Sequence, residues 1–333
     1  MFSFKIKFIK VLTIANPSMK NKNYMILFVL LAFLTYPLLT FSFQIDEIEN
    51  GVFVHFGVHE DSNHLNEGDI ANIGFIVGEK SIMVIDTGGT PIIGKKLLDI
   101  IREKSSLPIS HVIITHSHPD HFFGTQEFLI ENPLVVGHEK LNRSLVNNFE
   151  FYKNSQFNTI KSKTLKKAKL VQANVFVKIN ETLEIDLGER IIEIRAWESG
   201  HTDNDLSVYD KKTKTFWSEN VFVSRIPSIR ASVLGWKKNL EEILEMDINL
   251  IVPGHGKPLK KEEAIRPVLK YFNRLISQTR DFHKKNQSLQ ESVNQVLQDE
   301  IINPKRVNKE NWILFTEYHY TNITKVYTEL EWE

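Results

Sequence analysis

The stretch Val112-Ile113-Ile114-Thr115-His116-Ser117-His118-Pro119-Asp120-His121 decides the reading of this chain. An apolar strand runs straight into three histidines and an aspartate within six residues. In extended chain, residues i and i+2 point to the same side, so His116 and His118 can face one metal together. Pro119 disrupts regular structure and lets Asp120 and His121 turn toward a second metal. Imidazole nitrogens and carboxylate oxygens are the donors that a borderline-soft divalent zinc ion accepts.

Working outward, two further histidines stand in matching surroundings. Gly200-His201-Thr202 follows an apolar strand at 191–195, and Pro253-Gly254-His255-Gly256 follows another at 250–252. Each strand ends in a glycine turn beside one histidine. Strand ends converge on one edge of a sheet, so these loops can meet the first motif. The remaining histidines read differently. His55, His59, His111, His138, His283 and His319 are isolated and read as ordinary core or surface residues, whereas His64 lies in a polar loop within reach of the site.

The rest of the chain supplies a frame for this cluster. Gly74 to Val77, Ile82 to Ile85, Leu134 to Val136 and Leu206 to Tyr209 read as further strands. Ile92 to Lys104 and Asn239 to Glu245 read as helices between strands. Such alternation predicts an α/β layer fold. Beyond residue 260 the pattern changes: Ile265, Val268, Leu269, Phe272, Leu275 and Ile276 mark one helix face. Leu289, Val293, Val296 and Leu297 mark a second helix, and Trp312 to Leu330 a last helical stretch. Residues 142–173 are rich in Lys, Asn and Ser, with Phe149, Phe151, Tyr152 and Phe157 interspersed. They read either as a solvated helix and loop or as a wall over the site.

Composition narrows the chemistry. There is no cysteine in the 333 residues, which excludes disulfides, thiolate ligands, a cysteine nucleophile and a lipid-anchored cysteine. Any metal site is therefore built from imidazole and oxygen. Lys plus Arg and Asp plus Glu both total 41, so no global field draws the chain to nucleic acid.

Residues 24–43 carry no charge, and Lys5, Lys7, Lys10, Lys20 and Lys22 precede them. With small residues at Thr40 and Ser42, residues 1–42 read as a secretory signal cleaved after Ser42. The mature chain is then expected in the periplasm. The rival reading is a retained anchor over residues 24–43, since about 20 apolar residues span a bilayer; membrane contact would arise only through that uncleaved segment. Met19 begins a signal of more usual length, which makes residues 1–18 an expected N-terminal extension.

In order along the chain stand Ile85-Asp86-Thr87-Gly88-Gly89, Thr115 to His121, Gly200-His201-Thr202 and Pro253-Gly254-His255-Gly256. This set, over roughly residues 48–258, resembles the metallo-β-lactamase superfamily. The resemblance implies an αββα four-layer sandwich over residues 43–260, with residues 261–333 as a C-terminal helical extension packed on the same domain. It also implies His116, His118 and His201 around one zinc, and Asp120, His121 and His255 around the other, for one or two Zn2+ in all. Gly74 to Gly78, Trp197 to Asp205, Arg225 to Ser228 and Leu330 to Glu333 look like exported members associated with quinoprotein relay and sulfur-oxidation gene sets.

One departure bears on metal count. Many members end a strand in Gly-Asp, the aspartate bridging both metals. Here the matching stretch is Thr215 to Phe222, with Glu219 in the glycine's place and Asn220 in the aspartate's. A neutral amide is the weaker ligand, so the second metal is expected to bind less tightly. Glu219 is expected to face away, as neighbours on a strand do, unless a bulge swings it in.

The implied chemistry is hydrolysis of a small-molecule ester, lactone, thioester or β-lactam amide. Zinc lowers the pKa of a water it binds from about 16 to about 7. Asp120 ligates and can orient or accept the proton. Asp86 is placed to organise the motif loop, Thr115 and Thr202 flank ligands, and Arg225 and Arg230 follow the Asn220 strand, where they would meet an anionic substrate or form ion pairs. Two other functions fit the sequence: an iron oxygenase of the same fold, and a non-catalytic metal-binding accessory of an exported redox system. Protein partners are not legible.

Overall fold

A computed structural model describes residues 43–333; the signal, anchor and start-site expectations for residues 1–42 fall outside them. Two sheets lie at its centre. The first has seven strands in the order β1 to β7: β1 (Asp46–Glu49), β2 (Val52–His55), β3 (Ile73–Val77), β4 (Ile82–Ile85), β5 (Ile109–Ile113), β6 (Leu134–His138) and β7 (Val175–Val177). Pairing is antiparallel from β1 to β4 and parallel from β4 to β7. The second sheet has five strands, with β12 (Leu250–His255) at one edge, then β11 (Thr215–Phe222), β10 (Leu206–Asp210), β9 (Ile191–Ala196) and β8 (Thr182–Asp186). Only β11 and β12 pair in parallel there.

The facing surfaces of the sheets interlock through Val54, Ile76, Met83 and Ile113 on one side and Ile194, Val208, Trp217 and Val252 on the other. The outer face of the first sheet is covered by α1 (Pro91–Lys104), which buries Ile93, Leu97 and Ile101 at helical spacing. Thr90 caps its first turn, Pro91 opens it, and Arg102 and Lys104 sit at the electronegative end. The outer face of the second sheet is covered by α4 (Val233–Glu245) and by the C-terminal helices α5 (Lys261–Lys284), α6 (Leu289–Ile302) and α8 (Phe315–Leu330); α7 (Pro304–Val307) is a single turn. The layers are thus helix, sheet, sheet, helix.

The C-terminal stripes turn inward to unequal degrees. On α5 all six apolar residues picked out by spacing are buried, from Ile265 to Ile276. Of the apolar residues picked out on α6, Val296 is buried and Leu289, Val293 and Leu297 are half-exposed. The segment after β6 forms α3 (Leu141–Ile160), whose Leu141, Leu145 and Phe149 enter a separate apolar cluster with Ile114 and Phe122.

Candidate metal centre

Five strands bring donor residues to one end of the two sheets. β5 delivers the 115–121 loop, β4 delivers Asp86, β9 leads to His201, β11 carries Glu219 and β12 ends on His255. Pro119 starts a one-turn helix, α2 (Pro119–Phe122), which rotates Asp120 and His121 away from His116 and His118. Three donor groups result, each with its ligand atoms within 4.8 Å of one another: His116, His118 and His201; Asp120, His121 and His255; and His116, His121 and Glu219.

Four of the five imidazoles are fixed from behind. His121 Nδ1 meets the Asp86 carboxylate at 2.8 Å, and His201 Nδ1 meets the carbonyl of Ser228 at 2.9 Å. His255 Nδ1 meets the carbonyl of Ile70 at 2.8 Å, and His116 Nδ1 lies 3.2 Å from Thr115 Oγ1. An N–H donated outward leaves the Nε2 lone pair facing the centre, the tautomer a metal ligand needs. Asp86, in a left-handed turn at φ 54°, also accepts from the Thr115 N–H and hydroxyl and so shapes the loop that carries the histidines. Thr202 holds its own turn by donating to Asp205.

Glu219 faces in, against the expectation that it would face away. Its Oε2 lies 3.4 Å from His121 Nε2, and it packs so closely on the opposing backbone that a Cβ at Gly254 would sit 1.9 Å from that oxygen. Neighbours on β11 do alternate, but in the opposite phase. Phe216 packs toward the helices and Trp217 between the sheets, so Glu219 shares the inner face with Trp217. The pairing of β11 with β12 then becomes irregular between Ser218 and Phe222. Asn220 falls on the helix side. Its amide lies beside Gly200, its carbonyl accepts from Trp236 Nε1, and it does not take the bridging place assigned to it.

Charge and hydrogen bonding both call for a cation. His116 Nε2 is buried without a hydrogen-bond partner, which leaves a desolvation cost of about 1–3 kcal/mol. His201 Nε2 and His118 Nδ1 approach to 3.0 Å, a separation that needs a shared proton or a common ion between them. Burial pulls His116, His201 and His255 well below the usual imidazole range and His118 down to about 4, so these rings are neutral and free to ligate. His121 is the exception. Burial opposes its charge, but the carboxylates of Glu219, Asp120 and Asp86 outweigh burial and hold it well above the usual range. Burial pushes Glu219 up to about 8 even with His121 beside it. Asp120 is desolvated too, yet His121 and His255 hold it well below the carboxylate range. Asp86, Asp120 and Glu219 all approach the one His121 ring, and the neutral imidazoles beside it turn their remaining nitrogens to the same point. The donor set therefore fits divalent metal.

The centre opens into a cavity of about 520 Å3 whose floor includes His118, Asp120, His201 and His255. α3 supplies Phe151, Tyr152, Ser155, Gln156 and Thr159, so the segment read two ways in the sequence is a wall of the cavity. Phe149 is tucked inward, but Phe151 is 69% exposed. The loop near residue 60 contributes Asp61 and Ser62; His64 is exposed and stands outside the lining. Arg225 is buried and donates to Asp61 at 2.8 Å, whereas Arg230 is exposed on the rim and forms no salt bridge among the described residues. Tyr318 of α8 lines the cavity and donates to Asp61 at 3.0 Å. Nothing in its sequence surroundings marks Tyr318, because the contact spans most of the chain. The carbonyls of Ser228 and Ile70 were equally invisible, since a backbone group carries no residue signature.

The two-sheet sandwich and the donor cluster on its edge define an α/β protein with side chains grouped as a metal ion would need them. The chain belongs to the metallo-beta-lactamase superfamily, whose profile matches residues 66–255. Among solved structures it is similar to TMB-1, from a study of substrate and inhibitor binding, with a TM-score of 0.54 and 20% identity over 69% of this chain and 97% of that one. It is similar to a metallo-beta-lactamase from Pontibacter korlensis, with a TM-score of 0.55 and 17% identity over 69% and 98% of the two chains. A double mutant of the sec-alkyl sulfatase PisA1 gives a TM-score of 0.60 and 17% identity, covering 75% of this chain and 45% of that one. At such identities the likeness speaks to the fold. No curated protein sequence matches this chain.

Proposed function

We propose that this protein is a zinc-dependent hydrolase of a small anionic molecule, cleaving an ester, lactone, thioester or β-lactam type bond. The observation that carries the reading is the convergence of five imidazoles with the carboxylates of Asp120 and Glu219, including a buried and unpartnered His116 Nε2. Zinc bound there supplies a Lewis acid and lowers the pKa of coordinated water to about 7.

The residues of the chain divide the remaining work. His116, His118 and His201 offer three neutral nitrogens at one site. Asp120, His121 and His255 offer a second, and Glu219 lies between the two sets through His116 and His121. Asp120 lines the cavity as a carboxylate and holds the attacking water's proton in line. Arg230, free of a salt bridge on the rim, meets the anionic group of the substrate, while α3 and Tyr318 enclose the rest. The non-catalytic reading drew on a missing carboxylate, and the inward Glu219 removes that ground. A double donor set also suits hydrolysis better than an iron oxygenase, which uses fewer ligands.

Export to the periplasm and kinship with the quinoprotein-relay and sulfur-oxidation members stay part of this proposal, on the motifs that suggested them. No described helix is long and apolar enough to cross a membrane.

The test pairs metal analysis with a screen of matched anionic and neutral esters. One or two zinc per chain is expected, falling in His116→Ala together with hydrolysis. Arg230→Ala should raise KM for the anionic substrate about tenfold, the worth of about 1.4 kcal/mol, with kcat held and the neutral ester unaffected. Iron with oxygen uptake, or equal effects on both esters, would overturn the respective part.

A further inference from the structure

α8 lies beyond residues 66–255, the part of the chain that the family profile covers, yet it is bonded to the backbone that orients a metal ligand. Asn322 on α8 is fully buried. Its Nδ2 donates to the carbonyl of Pro227 at 2.7 Å, and its Oδ1 accepts from the N–H of Ile229 at 2.9 Å. These two bonds bracket Ser228. The carbonyl between them, that of Ser228, is the one that accepts from His201 Nδ1 at 2.9 Å. The second hydrogen of Nδ2 goes to the Tyr271 hydroxyl at 3.0 Å, so both amide hydrogens and the amide oxygen are engaged. The amide cannot flip without setting its oxygen against the Pro227 carbonyl.

The same segment is tied to α8 a second time. Glu329 accepts from the Ser232 hydroxyl and from the N–H groups of Val233 and Leu234, so it caps α4 from outside. Between the two ties, Arg230 N–H and Ser232 N–H donate to the carbonyls of His201 and Gly200. The 227–234 segment is therefore held between α8 on one side and the His201 turn on the other.

We propose that Asn322 is a positioning residue for His201, acting through Ser228, and that α8 is in this sense part of the metal centre. The inference rests on the metal reading of the site given above. The plane of each peptide flanking Ser228 is fixed by one Asn322 bond. The direction of the Ser228 carbonyl is thereby fixed, and with it the rotation of the His201 ring. Loss of a group that orients a ligating histidine costs about 10–100-fold in metal affinity.

The experiment measures zinc affinity by chelator competition, the visible spectrum of the cobalt-substituted protein, and thermal unfolding of the metal-free protein. Asn322→Leu removes both bonds to the loop. Asn322→Asp keeps the bond from Ile229 and loses the one to Pro227, and it answers the same question if the leucine variant does not fold. Tyr271→Phe is the comparison: it removes the buried hydrogen bonds to Asn322 and His319 but leaves the loop bonds in place. Both Asn322 variants should bind the tighter zinc at least about tenfold more weakly and shift the cobalt spectrum. Tyr271→Phe should lower the melting temperature and leave both metal readouts unchanged. Parental affinity and spectrum in the Asn322 variants would overturn the positioning role alone, as would an equal metal loss in Tyr271→Phe. A parent protein that binds neither zinc nor cobalt would overturn the metal reading and this role with it.

Discussion

Glu219 and Asn220 show how much hangs on the phase of a single strand. The donor histidines were legible because their spacing after apolar runs is itself the geometry: alternate residues share a side. The carboxylate was not legible by the same rule, because the rule gives alternation and not its phase. Trp217 carries the phase, and its place between the sheets is a fact of packing. A large indole on a strand next to a polar pair is the signal that would have found it. Asn220→Asp tests the phase directly, because Asn220 stands on the helix side of the sheet. That change places a carboxylate against Gly200 and Trp236, where it should lower thermal stability. Glu219→Gln should weaken the second zinc by at least about tenfold, while Asn220→Ala should leave both within about threefold. Zinc titration against a chelator reads both. Two equally tight ions in Glu219→Gln would remove that residue from the ligand set.

At the scale of elements, most of the strands rich in apolar residues were legible, whereas β1, β2, β7 and β8 were not. β1 is Asp46-Glu47-Ile48-Glu49, mostly exposed at the sheet edge, where charge is useful and alternation is weak. β7 has three residues and sits at the opposite edge. The C-terminal helices were legible as amphipathic stripes, yet no stripe tells which surface it covers. α8 carries a further consequence in His319, which is buried against Tyr271. Burial, aided by Arg274, pulls its pKa down to about 3. An unfolded chain takes up this proton as pH falls through about 6.5, whereas the folded chain resists it until about 3. Between those values the unfolded state binds more protons, so stability declines with acid by up to about 1.4 kcal/mol per pH unit from this group. His319→Gln keeps an acceptor for Tyr271 and cannot titrate. Melting curves of the metal-free protein should fall less steeply between pH 6.5 and 4 in the variant; parallel slopes would remove His319 as a source of acid sensitivity.

Across the whole molecule, the boundary near residue 260 marks a change of pattern and not a break in the core. Phe216 and Ile251 of the second sheet and Trp236 of α4 share one apolar cluster with Val268, Phe272, Leu275, Ile323 and Val326. At about 25 cal/mol per Å2 of apolar surface, no soluble fold can leave such a face in water. A chain spanning residues 43–260 should therefore lack a cooperative melt by circular dichroism, while the 43–333 chain should have one. A well-folded shorter chain that still binds zinc would show the helices to be an accessory.

The anchors behind the histidines also set an order in time. His255 is held by Ile70 across 185 residues, Asn72 reaches Pro253 across 181, and Tyr318 reaches Asp61 across 257. Contacts of such separation are slow to form, since the loop entropy is lost before the contact rewards it. The ligands are expected to come into register only late in collapse, and the ion to bind after the folding transition state. Zinc should then slow unfolding and leave the refolding rate nearly unchanged. Stopped-flow refolding with and without zinc measures this, and an acceleration equal to the gain in stability would mean the centre is built early. With refolding unaffected, the ion locks a finished fold and does not template one.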